Sequence, residues 1–297
     1  MNMSFIFPTL ILSLFFASDL ANGATECQCG LLNIQGRISN GHVSQKSKYP
    51  WLAYIRNYKF PENPKLYEYC GGSLIDDQHV LTAAHCVFQN KTINPESIRV
   101  YLGVFDKEAD IAQNQPLKAE KIHYHPWYRR ETLEYDIAVI KLTAKVNITK
   151  NISPVCLPEN EDLSKFKKHE PLTIAGWGYV DVKTSPNTLN EAEILFIDYD
   201  RCDQFYRHKF GPNRKVSRTS FCAKGRDKVG VCPGDSGSPI LHTDPDSGRM
   251  VAVGLTGFIF GKCGHMANAP NAFTRVGLFT KMIKEAAPNA CFVPVRA

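Results

Sequence analysis

Short apolar runs separated by turn residues fill most of this chain, and that spacing constrains the fold more than any other feature. "WLAYI" (51–55), "SIRVYLGVF" (97–105), "DIAVIKL" (136–142), "PLTIAGW" (171–177), "AEILFI" (192–197) and "VAVGLTGF" (251–258) alternate with stretches rich in Gly, Pro, Asn and Asp. Runs this short predict the strands of a sandwich or barrel. Helical spacing is confined to the end, where Phe279, Met282, Ile283 and Ala286 share one face, Lys281, Lys284 and Glu285 the other, and Pro288 stops the run. The expected body is all-β with a terminal helix. "KVNITKNISPVCLPEN" (145–160) predicts a surface crossing between two halves, and no internal repeat or low-complexity tract is visible. The 297 residues, 43% of them hydrophobic, supply enough core for one large domain or two packed ones.

The apolar run "FIFPTLILSLFFA" (5–17) is too short to span a bilayer comfortably and is followed by Ala21 and Gly23 at cleavage-site spacing. It predicts a signal peptide over 1–23 and a secreted, extracellular product, although only the amino terminus supplies the usual positive charge. A membrane anchor is the other reading of the run. Ten cysteines, an even number, then imply a disulfide framework in an oxidising compartment, with no spacing suited to zinc. Asn90, Asn147 and Asn151 open N-glycosylation sequons. The net charge of +6 is dispersed. Its densest stretches, "KFKKH" (165–169) and "RHKFGPNRKVSR" (207–218), could meet a polyanion but read better as solvated loops, without the aromatic interleaving that suits nucleic acid.

A serine hydroxyl is a weak nucleophile at neutral pH and needs a base, an orienter for that base, and donors for the oxyanion. "VLTAAHC" (80–86) places His85 after an apolar strand, and "EYDIAVIKL" (134–142) places Asp136 at the mouth of another. "GVCPGDSGSPI" (230–240) puts Ser236 in a glycine-flanked turn where the N–H groups of Gly234 and Ser236 can converge.

From about Arg37 to Ala286 these segments resemble the chymotrypsin-like (trypsin-family) serine peptidases, in the His, Asp, Ser order of that family. The resemblance implies two six-stranded Greek-key β-barrels with a C-terminal α-helix: barrel 1 over about 38–145, a crossing at 146–160, barrel 2 over about 161–276, and the helix at about 278–287. It implies His85 as general base, Asp136 as its orienter and Ser236 as nucleophile, with Gly234 and Ser236 amides as the oxyanion hole. "QGRISNG" (35–41) is similar to the family's activation site, so 24–37 would be a propeptide; cleavage after Arg37 would free the Ile38 amine to pair with Asp235. Ser39 and Asn40 depart from the usual residues there.

The resemblance also implies disulfides Cys70–Cys86, Cys29–Cys156, Cys202–Cys222 and Cys232–Cys263. Cys27 and Cys291 are left to pair, with exchange of Cys27 and Cys29 as the alternative; a further family disulfide is missing at both ends, Leu172 and His242 standing in its place. In the pocket that selects the P1 side chain, Gly230 occupies the position of a selective aspartate, Ile259 the neck and Asn271 the place of a glycine. Without a carboxylate for a guanidinium, P1 should be neutral and small to medium apolar. Gly257 replaces a serine that bonds the catalytic aspartate in the family, Ser238 replaces a glycine, Pro233 precedes the oxyanion donors without removing either, and Val104 stands at the first acidic ligand of a calcium loop, so no metal or cofactor is expected.

The expectation is therefore a secreted, monomeric serine endopeptidase made as a zymogen. Its partners would be protein substrates, a trypsin-like activating protease and serpin- or Kunitz-type inhibitors, with neither nucleic acid nor membrane among them. The propeptide resembles those of secreted arthropod proteases. A catalytically weak homologue acting as a binding or adaptor module, or a toxin-like component, is the alternative.

Overall fold

The structure, a computed structural model, describes residues 27–33, 42–58, 63, 65–89, 92–160, 163–181, 183–226, 230–258 and 269–296. The first barrel contains β1 (Leu52–Tyr58), β2 (Tyr67–Leu74), β3 (His79–Thr82), β4 (Ile98–Leu102), β5 (Leu117–Tyr124) and β6 (Ala138–Leu142). They are hydrogen-bonded in the order β1-β2-β3-β6-β5-β4 and close through β4 onto β1, where Ala53 faces Leu102.

The second barrel contains β7 (Pro171–Gly176), β8 (Asn190–Ile197), β9 (Ser220–Gly225), β10 (Pro239–Thr243), β11 (Met250–Phe258) and β12 (Asn271–Arg275). Its order, β7-β8-β9-β12-β11-β10 with β10 returning to β7, repeats that of the first barrel although the sequence shows no repeat. Closure leaves no free edge in either barrel. Separate cores fill them, around Leu81, Ile98 and Ile140 in the first and around Ile194, Phe221 and Ile240 in the second. The all-β reading and its two six-stranded barrels are what the chain forms.

Strand burial does not alternate cleanly where the barrels meet. Leu52, Ala53, Tyr54 and Ile55 are all buried, because one face fills barrel 1 and the other is covered. Trp177, at the end of β7, packs edge-on against Tyr54 and donates its indole N–H to the Phe105 carbonyl. The indole therefore carries apolar packing from barrel 2 into barrel 1 without leaving its N–H unpaired.

Four α-helices accompany the strands among the described residues: α1 (Ala84–Val87), α2 (Ala109–Gln113), α3 (Tyr199–Phe210) and α4 (Thr280–Ala286). The terminal helix α4 buries Ile283 and Ala286, as its spacing predicts. The 12-residue α3 corrects the expectation that only the end is helical, and its last turn takes the beginning of the basic stretch read as a loop. The crossing is also more buried than expected. Residues 147–151 are exposed, but Val155, Cys156 and Leu157 are fully buried, and Leu157–Pro158 pairs in parallel with Phe292–Val293.

Disulfides tie the ends to this body: Cys29 to Cys156, Cys27 to Cys291, Cys70 to Cys86 and Cys202 to Cys222. Cys232 is disulfide-bonded too, and Cys263, its expected partner, lies outside the described residues, as do the whole leader, Arg37, Ile38, Asn90 and Ile259. Where the further family disulfide is missing, Leu172 is buried and the buried His242 ring hydrogen-bonds the Arg296 carbonyl. No helix among the described residues is long and apolar enough to cross a membrane.

Candidate active site

The turn bearing His85 leaves β3 and enters α1. Thr82 Oγ1 donates to the Gly71 carbonyl (2.8 Å), Asn57 Nδ2 donates to the Cys86 carbonyl (3.0 Å), and the Cys70–Cys86 bridge ties α1 back to β2. Three independent attachments thus fix the backbone within three residues of the imidazole.

Asp136 comes from the loop entering β6. Its carboxylate is wholly buried and serves the histidine twice: the His85 backbone N–H donates to Oδ1 (2.8 Å), and His85 Nδ1 lies 2.7 Å from Oδ2. An ionised carboxylate can only accept, so Nδ1 carries the proton and the neutral ring presents Nε2 as an acceptor. Burial would lower the imidazole pKa, but the Asp136 charge and hydrogen bond outweigh it; Glu68 adds to the rise, Arg130 opposes it, and the net shift is upward.

Two consecutive close approaches seat the Ser236 turn. The Gly71 N–H donates to the Ser236 carbonyl (2.7 Å), and the Gly237 N–H to the Thr256 carbonyl (2.7 Å). Gly237 has φ +75°, and a side chain there would overlap Thr82 Oγ1 and the Gly71 carbonyl. The glycine after the serine therefore lets barrel 2 close onto the strand end that carries His85. Ser236 Oγ makes no hydrogen bond to His85 Nε2 in this structure; contacts of this kind tighten when substrate fills a site. The amides of Gly234 and Ser236 donate to no acceptor among the described residues. Gly234, at φ +96°, packs on the Tyr69 ring where a Cβ would collide.

The Asp235 carboxylate lies against the end of β7. Its Oδ1 accepts from Gly178 N–H (2.8 Å) and its Oδ2 from Cys232 N–H (2.9 Å), and Cβ atoms on Gly176 or Gly178 would overlap the carboxylate. Burial pushes its pKa up to about 6 against those two hydrogen bonds and the more distant Lys107.

At the expected P1 pocket, the structure brings Gly230 and Asn271 together: a Cβ on Gly230 would lie 3.4 Å from Asn271 Nδ2. Gly257 faces Asp136: a Cβ there would lie 3.4 Å from Oδ2. Asn147 and Asn151 are exposed. Val104 is buried and its side chain offers no ligand oxygen, and the groupings of potential metal ligands among the described residues are built on disulfide cysteines.

Sequence reasoning missed two buried pairs. His79 Nδ1 lies 2.8 Å from Asp76 Oδ2 at the β2–β3 turn, a pair whose signal is the local "DDQH". Lys48 Nζ lies 2.7 Å from Glu191 Oε1, and Ser44 Oγ donates to Oε2 (2.8 Å). The latter pins the segment before barrel 1 onto β8, beside the antiparallel pairing of Val43 with Asn190. No local pattern announces it, since its members are 143 residues apart.

Comparison with known proteins agrees with this geometry. The chain is 31% identical to the clotting factor G beta subunit of Tachypleus tridentatus, over 96% of this chain and 94% of that protein. It is 30% identical to the CLIP domain-containing serine protease B4 of Anopheles gambiae, over 86% of this chain and 72% of the relative. Identity to the Limulus clotting factor C of Carcinoscorpius rotundicauda is 31%, over 84% of this chain but 25% of that longer protein. A family model described as Trypsin matches residues 38–283, and the chain belongs to this family of serine proteases.

Proposed function

We propose that the chain is the secreted zymogen of a serine endopeptidase that cuts protein substrates after neutral, small to medium apolar residues. The observation that carries the reading is the double seating of Asp136 on His85, which leaves Nε2 as an acceptor on a turn whose Thr82 and Ala83 abut Gly237, the residue after Ser236. In the reaction, His85 Nε2 takes the Ser236 proton as Oγ attacks the scissile carbonyl, and returns it to the leaving amine. Asp136 holds the tautomer and stabilises the imidazolium. The free amides of Gly234 and Ser236 receive the oxyanion, each worth about 3 kcal/mol of barrier. Water then repeats the sequence on the acyl-enzyme.

Cleavage after Arg37 switches the enzyme on. Asp235 is a buried carboxyl at raised pKa, and a buried amine is the partner that would let it ionise. Val43 pairs with Asn190, which pairs with Gly176, which abuts Asp235. The five residues from Val43 back to Ile38 reach roughly 17 Å, enough to bring the Ile38 amine to that carboxylate. The activating protease must accept arginine, whereas Gly230, Asn271 and the expected Ile259 supply no carboxylate for it, so the enzyme does not activate itself. Its likeness to proteins named as clotting factors is consistent with such an external activator. Glycans on Asn90, Asn147 and Asn151, serpin- or Kunitz-type inhibitors and a monomeric state complete the proposal.

A fluorophosphonate probe tests it. Ser236 is expected to label after a trypsin-like protease has exposed Ile38, and only weakly before; peptides with apolar P1 residues should then be cut and arginyl peptides spared. No labelling of the processed protein overturns the endopeptidase reading. Efficient arginyl cleavage overturns the pocket assignment.

A further inference from the structure

On the Asp136 side of the site lies a groove of about 630 Å³. Residues 130–135, entering β6, form one wall and residues 213–219, leading to β9, the other; Gly257, Ala272 and Thr274 lie between them. Two of these join the groove to the chemistry already described. Gly257 faces Asp136, and Ala272 follows Asn271 at the P1 pocket. The groove therefore adjoins both the carboxylate that holds His85 and the expected P1 pocket.

The groove's charges do not cancel. Asp203 is spent on Arg207 Nε (2.6 Å) and the Val216 N–H (3.0 Å), and Glu134 lies 3.6 Å from Arg129. Arg130, Arg214, Lys215 and Arg218 form no ion pair among the described residues, and Glu131 is the one lining carboxylate likewise without a partner there. Four unpaired cations thus face one unpaired carboxylate. The Arg218 guanidinium lies 3.9 Å above the Tyr199 ring, a contact that orients it without neutralising it.

The groove is also built before any ligand arrives. Leu133 and Tyr135 both take left-handed backbone conformations, at φ +53° and +56°, which cost L-residues about 1 kcal/mol or more each. The fold holds them there: the Tyr135 N–H donates to Thr219 Oγ1 (3.3 Å), joining the two walls, and the Tyr135 ring stacks on His125 at 4.6 Å. A fixed, positively charged groove suits an extended peptide carrying a carboxylate, because little ordering remains to be done on binding.

We infer that this groove is a subsite for an acidic side chain of the substrate, Asp or Glu, placed roughly two to four positions before the scissile bond. The inference deepens the endopeptidase reading and rests on it for the hydrolytic step. The cations are exposed, so each contributes modestly and is screened by salt; together they should favour an acidic residue about tenfold over its amide.

The test uses protein processed after Arg37. Peptides with an apolar P1 residue and Asp, Asn or Lys at each of the preceding three positions are compared by kcat/KM, and labelled Asp and Asn peptides are titrated onto the Ser236→Ala protein. An Asp/Asn ratio near ten at one of those positions is expected, shrinking in high salt and falling toward one in an Arg214→Ala, Lys215→Ala double variant. A ratio near one at every position, or an unchanged ratio in the double variant, overturns the inference. Hydrolysis without acidic preference is failure of the groove alone. Tighter binding of the Asp peptide by the Ser236→Ala protein, in an enzyme that cuts nothing, keeps the groove and sinks the endopeptidase reading. Loss of binding to a sulfated oligosaccharide in the double variant, with the peptide preference intact, assigns the cations to a polyanion and overturns the proposal.

Discussion

Barrel 1 holds two imidazole–carboxylate pairs, His79–Asp76 and His85–Asp136, whose geometry is almost the same. In each, Nδ1 lies within 2.8 Å of Oδ2, and in each the other carboxylate oxygen accepts the histidine's own backbone N–H, at 2.7 Å for His79 and 2.8 Å for His85. Both carboxylates are buried. The pairs differ in what surrounds them. Asp76 is three residues from His79 and also accepts from the Gln78 N–H (2.7 Å), so the unit closes a tight turn, with the imidazole side chain 8% exposed. Asp136 reaches His85 across 51 residues, and that imidazole is 23% exposed, on a turn whose Thr82 and Ala83 abut Gly237. A histidine held by a buried aspartate is therefore a locking unit that serves a turn as well as an active site. Exposure of the imidazole distinguishes the pair proposed to react.

The largest expected effects fall on one pair only. His85→Ala or Ser236→Ala should lower kcat by about 10⁴ to 10⁶, and Asp136→Asn by about 10⁴, because the three act as a unit and the amide would favour the wrong tautomer. Circular dichroism of each variant should match the parent. His79→Gln, by contrast, should keep kcat/KM within about twofold while costing about 1–3 kcal/mol of stability in urea, since it leaves a buried carboxylate short of a partner. A tenfold loss of kcat/KM in folded His79→Gln protein would break the distinction. The hydrogen bonds from His79 and Gln78 outweigh burial and hold the Asp76 carboxyl below its ordinary range. Its contribution is therefore present above the unfolded carboxyl's pKa of about 3.9 and is lost as pH falls through the lower folded value.

The reactive pair was the more legible of the two, although its partners are distant. "VLTAAHC", "EYDIAVIKL" and "PGDSG" each resemble a family segment, whereas the Asx-type turn in "DDQH" carries no such resemblance. The barrels were legible through their short runs, and α4 through its spacing. Helix α3 was not, because its five apolar residues are aromatics and a cysteine with no aliphatic side chain among them, and only Cys202 and Tyr206 are buried. Its readable signals were the ends: Asp198 Oδ1 caps the Arg201 N–H, and Gly211 stops the helix at φ +100°. The Lys48–Glu191 pin and the groove joining Tyr135 to Thr219 depend on segments far apart in sequence, which no spacing within one run records.

Titration should sharpen the contrast further. The upward shift at His85 places the acid-side inflection of kcat/KM above the ordinary histidine value of about 6.5, because the ring must be neutral to accept the serine proton. Activity then falls as pH drops through that raised value. Stability runs the other way: His85 protonation helps folding fully below about 6.5, and the help is lost as pH rises through the folded value. The inflection should stay in place in His79→Gln protein. An inflection at or below 6 in the parent would mean that burial, not Asp136, governs the ring.

The smallest effect probes the one side of the reactive pair that the fold leaves bare. A Cβ on Gly257 would sit 3.4 Å from Asp136 Oδ2 and 3.6 Å from Thr274 Oγ1, ordinary contact distances, so Gly257→Ser should enter without a clash. Its hydroxyl could then donate to Oδ2, the oxygen that already receives His85 Nδ1–H. A second donor stabilises the carboxylate but draws its charge away from the imidazolium, so the two consequences oppose each other in the rate. We expect kcat/KM to change by no more than about threefold, with the inflection moving down by a few tenths of a pH unit and stability altered by less than about 1 kcal/mol. A pH–rate profile of the variant beside the parent checks this. An unmoved inflection would show that the hydroxyl leaves Oδ2 alone, whereas a rise in rate of a hundredfold would mean that the glycine had left Asp136 poorly placed, contrary to its double hold on His85.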